Sequence, residues 1–251
     1  MLHLLKRHPF PVVAFFEYSL VLTYALPRTV LEPLLPPGLQ LDTFQDFGFL
    51  AVAMVQTKGL RPAKAPRWCG QDFFHTGYRI FARCKTASGR NLRGLRILRS
   101  DANNSLVVKI GSLLTHYEYH RSRVQVERKN GILEIRAQTR KGEADLRLCA
   151  QLRGEPSLPD GSPFQNFEEA SRYAGPLPFT FDYERETNSL IAVKGIRKHW
   201  NHRPVTVEVA QNTFLDQEPF RSVKPILANA FYLENVPYRW LRGQREVLPS
   251  V

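Results

Sequence analysis

The stretch RVQVERKNGILEIRAQT, residues 123–139, decides the fold class. From Arg123 to Arg128 apolar and polar side chains alternate, and they do so again from Ile132 to Thr139, beyond Lys129-Asn130-Gly131. Strict alternation is the signature of a half-buried strand. Asn-Gly suits the positive φ angles of a tight type I′ turn. The two segments are therefore predicted as an antiparallel hairpin. Arg140-Lys141-Gly142-Glu143 makes the next turn and residues 146–152 the next strand, so the run reads as a meander.

Working outward, Phe47 to Gln56 is an unbroken apolar strand, and residues 78–85 and 92–99 form a second pair joined near Ser88-Gly89. Further strands are predicted at 106–110, 189–193 and 205–209. Residues 10–26 are mostly apolar and follow Lys6-Arg7-His8, which imitates a leader peptide. Pro9 and Pro11 at the start, Glu17 inside and no small-residue cleavage site argue for a buried strand instead. The run is also short of the ~20 apolar residues of a spanning helix. Helices are few: Pro27 to Leu35, stopped by Pro36-Pro37-Gly38; residues 167–173, capped by Asn166; and a short one at 226–231. The proline-rich segment 154–178 reads as a long crossing loop. Nothing divides the 251 residues into two cores, so one domain over 1–251 is expected. Many short strands with turn signals predict a mainly β (α+β) protein. Its expected form is a large antiparallel closed barrel with a central cavity and few short helices.

The formal charge is +12, and it is concentrated. Between Thr57 and Arg99 eleven Lys and Arg residues face one acid, Asp72. Such a stretch attracts nucleic acid, anionic lipid or an anionic metabolite. No nucleic-acid-binding motif accompanies it, and a solvated basic face is the simpler account. Cys69, Cys84 and Cys149 include no close pair, which gives neither a disulfide framework nor a metal motif and fits a reducing compartment. Signatures of phosphate-binding loops, serine hydrolases and zincins are absent from the sequence, so no cofactor is implied.

The densest polar constellation is His116-Tyr117-Glu118-Tyr119-His120. On a strand, His116, Glu118 and His120 would share one face. That makes His116 and Glu118 candidates for acid–base chemistry and His120 a ligand contact. Two imidazoles and a carboxylate also suit a metal, but a hydrogen-bonded polar face explains them without one, and no metal is expected. His75 and Arg79, four apart, would also share a strand face. His75 is a third catalytic candidate, and Arg79 could hold a carboxylate with two parallel hydrogen bonds. Lys109 lies in the apolar run 106–110. Burial there would favour its neutral, nucleophilic amine, whereas a strand-edge lysine would reach solvent along its stem. His199 and His202 flank Trp200 in what reads as a packed loop.

Four stretches carry a family resemblance: Leu34 to Phe44 (LLPPGLQLDTF), Leu95 to Asp101 (LRILRSD), Gly111 to Tyr117 (GSLLTHY) and Pro237 to Gly243 (PYRWLRG). Together they resemble the YqjF-like family of uncharacterised conserved bacterial proteins. That family is similar in fold to acetoacetate decarboxylase, so the resemblance implies a large antiparallel barrel around a cavity, in agreement with the meander. Acetoacetate decarboxylase forms a Schiff base on a lysine activated by a second, cationic lysine. By order along the chain the pair would fall near Tyr117 to Tyr119. This sequence has no Lys-Lys dipeptide and no lysine between Lys109 and Lys129. The glutamate expected near Tyr78 is absent as well. The resemblance thus carries over the fold and not the decarboxylase activity.

The expected function is binding of a small anionic or oxo-acid-like molecule in the barrel cavity, without a Schiff-base lysine pair. Two alternatives stand beside it: a non-catalytic binding or structural module, and nucleic-acid binding through residues 57–99. The expected partner is a small molecule, not a membrane, and self-association into a homo-oligomer is left open. The expected compartment is the bacterial cytoplasm. The sequence does not decide whether the chain is an enzyme.

Overall fold

The computed structural model describes residues 2–86, 88–198 and 200–248. A short helix α1 (Leu2–Leu5) leads into the long strand β1 (Val12–Pro27). One turn of helix α2 (Arg28–Leu31) and a 3-10 turn precede β2 (Leu39–Leu41) and β3 (Thr43–Phe44). Three long strands follow, β4 (Phe47–Pro62), β5 (Gln71–Lys85) and β6 (Asn91–Ala102). Helix α3 (Ser105–Leu114) connects to β7 (Tyr119–Lys129), β8 (Ile132–Thr139) and β9 (Leu146–Gln151). After helix α4 (Phe167–Ala174) come β10 (Phe179–Glu184), β11 (Ser189–Arg197), β12 (Arg203–Pro204), β13 (Thr206–Asn212), β14 (Ile226–Trp240) and β15 (Gln244–Val247).

Strand pairing runs β6–β10–β11–β14–β1–β4–β5 and returns to β6, a ring of seven. All seven strands contribute side chains to the lining of one cavity of about 490 Å³. From the ring β7 branches off beside β6 and continues as a second sheet, β7–β8–β9–β13. Its apolar face (Leu133, Ile135, Leu146, Leu148) packs on the outer face of β1, β4 and β5 (Leu20, Leu22, Leu50, Val52, Met54, Ile80). β1 is therefore buried on both faces, one against the second sheet and one against the cavity. That is why residues 10–26 read as apolar without alternation. The exposed side of the β7–β8 hairpin restores alternation, and its turn has φ +52° at Asn130 and +81° at Gly131, as a type I′ turn requires.

Three expectations need correction. Residues 106–110 belong to helix α3, not to a strand. Asn104 starts the helix: its side-chain oxygen accepts hydrogen bonds from the backbone N–H of Leu106 (2.9 Å) and Val107 (3.3 Å). A five-residue apolar run cannot separate strand from helix; the helical period emerges only over 106–114. Residues 226–231 begin β14, not a helix. They pair with β1 in the register Ile226 to Ala25 and Leu227 to Tyr24, so partnership with a buried strand overrides the local preference of Leu and Ala. Finally, the ring is not wholly antiparallel, because β6 runs parallel to both β7 and β10. Among the described residues no helix is long and apolar enough to cross a membrane.

Candidate functional site

The cavity wall is written most clearly along β5. With period two, Phe73, His75, Gly77, Arg79 and Phe81 turn toward the interior, while Phe74, Tyr78 and Ile80 turn into the outer core. Beyond Phe81 the cavity is closed by aromatic packing of Phe49 on Phe81 (6.0 Å between centroids) and on Phe164 (5.3 Å). At the other end Leu106 and Ile110 of α3 line the cavity and are also 46% and 45% exposed, so the rim lies there.

Arg79 dominates the electrostatics. Burial pulls its pKa below the ordinary arginine value, and the facing hydroxyls of Tyr238, Tyr119 and Tyr117 oppose that shift. Among the described residues no carboxylate lies within 4.0 Å of its guanidinium, and its Nε has no hydrogen-bond partner. Among the described residues that line the cavity there is no aspartate, glutamate or lysine. The lining holds further unpartnered polar atoms: His75 Nε2, His8 Nε2, Ser100 Oγ and Trp200 Nε1. Burial raises the pKa of Tyr117, Tyr119 and Tyr238, so all three stay protonated and able to donate. His75 is held at about 3, first by burial and then by Arg79, and is neutral at physiological pH. Of the three lining arginines, Arg61 and Arg197 bond to backbone carbonyls, whereas Arg79 is surrounded by neutral donors, with no carboxylate among the described lining residues.

Gly77 makes this arrangement fit. A Cβ at that position would lie 2.9 Å from His75 Cε1 and 3.0 Å from Arg79 Nε. Both are ends of side chains that can yield, so Gly77→Ala is expected to keep the fold within about 1 kcal/mol. It should displace the Arg79 guanidinium, which a crystal structure of the variant reads.

Two cavity histidines give the fold a pH dependence. His75 is 9% exposed and held at about 3; His8 is held at about 4 by burial and by His116. In the unfolded chain each titrates near 6.5. As pH falls below that value the unfolded state takes up protons that the fold refuses, so stability declines from pH 6.5 towards pH 4. The expected loss is up to about 3 kcal/mol for His75 and less for His8. Urea midpoints at pH 7 and pH 4.5 read this, and His75→Gln should flatten the difference.

The sequence candidates separate into two groups. His75 and Arg79 meet in the cavity on one face of β5, as their spacing requires. His116, Glu118 and His120 do not form a common strand face, because β7 starts only at Tyr119 and residues 115–118 are a connection. Tyr117 and Tyr119 point into the cavity instead, and a one-residue shift of phase turns every polar neighbour away. Glu118 is exposed, and His120 lies beside Asp101 in the β6–β7 pairing. Lys109 is exposed on α3, outside the cavity lining, because a helix sets it away from Leu106, Val107 and Ile110. His202 Nε2 is 2.7 Å from Ser171 Oγ, and His199 lies outside the described residues. Tyr117, Tyr119, Tyr238, Ser100 and His8 were not singled out from sequence. The available signal was the tyrosine phase of residues 116–120.

His116 belongs to a second polar cluster. Its Nε2 is 3.8 Å from Glu184 Oε2, and Glu184 is wholly buried. Arg7 donates to Glu184 through Nε (2.7 Å) and Nη2, and Thr187 Oγ1 adds a third hydrogen bond. On the same face of β10, Thr180 Oγ1 meets the Tyr117 hydroxyl at 2.9 Å and Asp182 pairs with Arg96. Among the described residues no group of three or more His, Cys, Asp or Glu could hold a metal.

The basic stretch also resolves into parts. Arg83 and Arg93 share Asp42, Arg96 takes Asp182, Arg99 takes Asp101, Lys58 lies near Glu17 and Asp72, and Arg79 is in the cavity. More than half of its eleven cations are therefore committed to carboxylates or enclosed.

Solved structures with the same fold include an acetoacetate decarboxylase-like enzyme from Sphingomonas wittichii RW1, with a TM-score of 0.63 and 13% identity over 97% of this chain and 96% of that one. Acetoacetate decarboxylase from Legionella pneumophila gives 0.60 and 12% over 96% and 88%. The enduracididine biosynthesis enzyme MppR gives 0.62 and 10% over 94% and 88%. The chain has the acetoacetate-decarboxylase-like fold, mainly β with few short helices. No curated protein matches it. Residues 16–237 match the family described as an uncharacterised conserved protein (COG2071), DUF2071, and the chain belongs to that family.

Proposed function

We propose that the chain is a single domain whose seven-strand ring acts as a closed barrel binding a small carboxylate, an oxo acid or a molecule like one. The observation that carries this is Arg79: a guanidinium enclosed in the cavity wall with no acidic partner. A charge taken out of bulk water without compensation is costly. An arginine in that position is best accounted for by a ligand that supplies the anion, held by charge-assisted hydrogen bonds. Ser100, Tyr119 and Tyr238 add donors for a neighbouring carbonyl oxygen. Structural relatives agree with the ligand class, since MppR has been solved in complex with pyruvate.

Imine chemistry is not part of the proposal, a choice supported by the lack of a lysine among the described lining residues. His75 is a neutral donor or acceptor and, with its low pKa, a weak base. His116, Glu118, His120 and Lys109 are assigned no contact with the ligand.

Thermal melting with a panel of carboxylates, oxo acids and their methyl esters tests the reading, together with borohydride treatment and intact-mass analysis. Acids should raise the melting temperature and esters should not, with no covalent adduct. Equal shifts from acids and esters, no shift from any acid, or an adduct on a lysine would overturn it.

A further inference from the structure

We infer that the carboxylate received by this cavity carries an apolar tail of about six to ten carbons, lying between Arg79 and the rim at α3. This rests on the reading of Arg79 as the anion-binding group.

Size is the first argument. A space of about 490 Å³ corresponds to about sixteen waters at ~30 Å³ each, whereas a four-carbon oxo acid has only about seven non-hydrogen atoms. A small oxo acid would leave more than half of the cavity unfilled. The second argument is the distribution of polarity. The charge and most of the hydroxyl donors gather around Arg79, whose neighbours are Tyr117, Tyr119 and Tyr238. From there the wall runs along Ala53, Val55 and Phe73 toward the rim, with Val21 facing the same space. His75, on the way, is neutral. Arg79 and Phe73 are six positions apart on β5, about 20 Å at ~3.3 Å per residue, so there is room for the tail, roughly 13 Å for ten extended carbons, together with the reach of the arginine side chain. The third argument is the rim, where Leu106 and Ile110 keep nearly half of their surface exposed while lining the cavity. An emerging hydrocarbon tail would cover them.

The other cations of the lining argue for one anionic group and not two. Arg61 donates to the carbonyl oxygens of Gly59 (3.1 Å) and Ala65 (3.3 Å). Arg197 donates to those of Pro176 (3.3 Å) and Leu177 (3.5 Å) and lies 4.0 Å over the Trp200 ring. Both guanidinium groups are occupied, and Arg79 is not.

Calorimetric titration of the full chain with butanoate, hexanoate, octanoate, decanoate and dodecanoate tests the inference. Affinity should rise about fourfold per added methylene, equivalent to about 0.8 kcal/mol, and level off when the cavity is full. A dicarboxylate of the same length should bind more weakly. Ala53→Leu, which projects into the space beside Gly77, should reduce the ratio of decanoate to butanoate affinity at least tenfold. A flat length series with butanoate still bound would overturn the tail and leave the Arg79 reading intact. Tighter binding of the dicarboxylate would overturn the single-anion assignment. Binding of no acid at any length would overturn both.

Discussion

Replacing Arg79 with methionine is expected to abolish carboxylate binding and, at the same time, to raise the melting temperature of the chain. The first effect follows from the two or more charge-assisted hydrogen bonds that a guanidinium gives a carboxylate. Their loss costs about 3 kcal/mol, a weakening of at least roughly a hundredfold. The second follows from what Arg79 lacks. Its Nε is unpartnered and no carboxylate offsets its charge, so the fold bears an uncompensated desolvation penalty. Methionine has similar length, no charge and a flexible thioether that packs in irregular space. Relief of about 2 kcal/mol would raise the melting temperature by roughly 4–8 °C for a domain of this size. An arginine that served the fold would behave in the opposite way. Arg93, for example, holds Asp42 and two backbone carbonyls, and its removal should destabilise. Melting curves of Arg79→Met with and without ligand therefore separate a binding residue from a structural one. A lower melting temperature for the variant, or retained affinity, would remove Arg79 from the site.

The elements readable from sequence were those whose two faces differ or whose turns are chemically marked. The 123–139 hairpin is legible because one face packs on the ring and Asn130-Gly131 permits a positive φ. β1 is legible for the opposite reason, since both faces are buried and the run is continuously apolar. α3 and the start of β14 were misread because a short apolar run carries no period; their form is set by an Asn104 cap in one case and by pairing with β1 in the other. In the site, His75 and Arg79 were readable because β5 continues unbroken through both. The polar residues of 116–120 were placed in the wrong phase. The strand starts three residues later than the alternation implies, and buried tyrosines were the inward set. Nothing in a linear sequence marks a contact such as Arg7 with Glu184, 177 positions apart.

That contact carries the second large effect. Arg7→Met is expected to destabilise the chain by about 3–5 kcal/mol, because it leaves the Glu184 carboxylate buried without its main partner. Glu184→Gln should cost less. Arg7 is 22% exposed and can turn toward water, whereas Glu184 has no exposed surface. The pH dependence distinguishes the two. In the wild type, Arg7 holds Glu184 at about 2, with Thr187 assisting, so the pair contributes stability above about pH 4.5 that is lost as pH falls towards 2. Without Arg7, burial drives the carboxyl pKa upward and the charged form becomes the costly one. The penalty of Arg7→Met should therefore be largest at pH 7 and shrink by pH 4, where Glu184 can protonate. Urea melts of wild type and variant at both pH values measure the difference, with the histidine contributions common to both. The consequence reaches the cavity. Backbone hydrogen bonds from His8 to Leu114 and from Gly243 to His8 fix the segment that follows Arg7, and His8 lines the cavity. Arg7→Met should thus weaken carboxylate binding only in proportion to the fraction unfolded. A loss of affinity in the fully folded variant would mean that the Glu184 cluster positions the cavity wall directly.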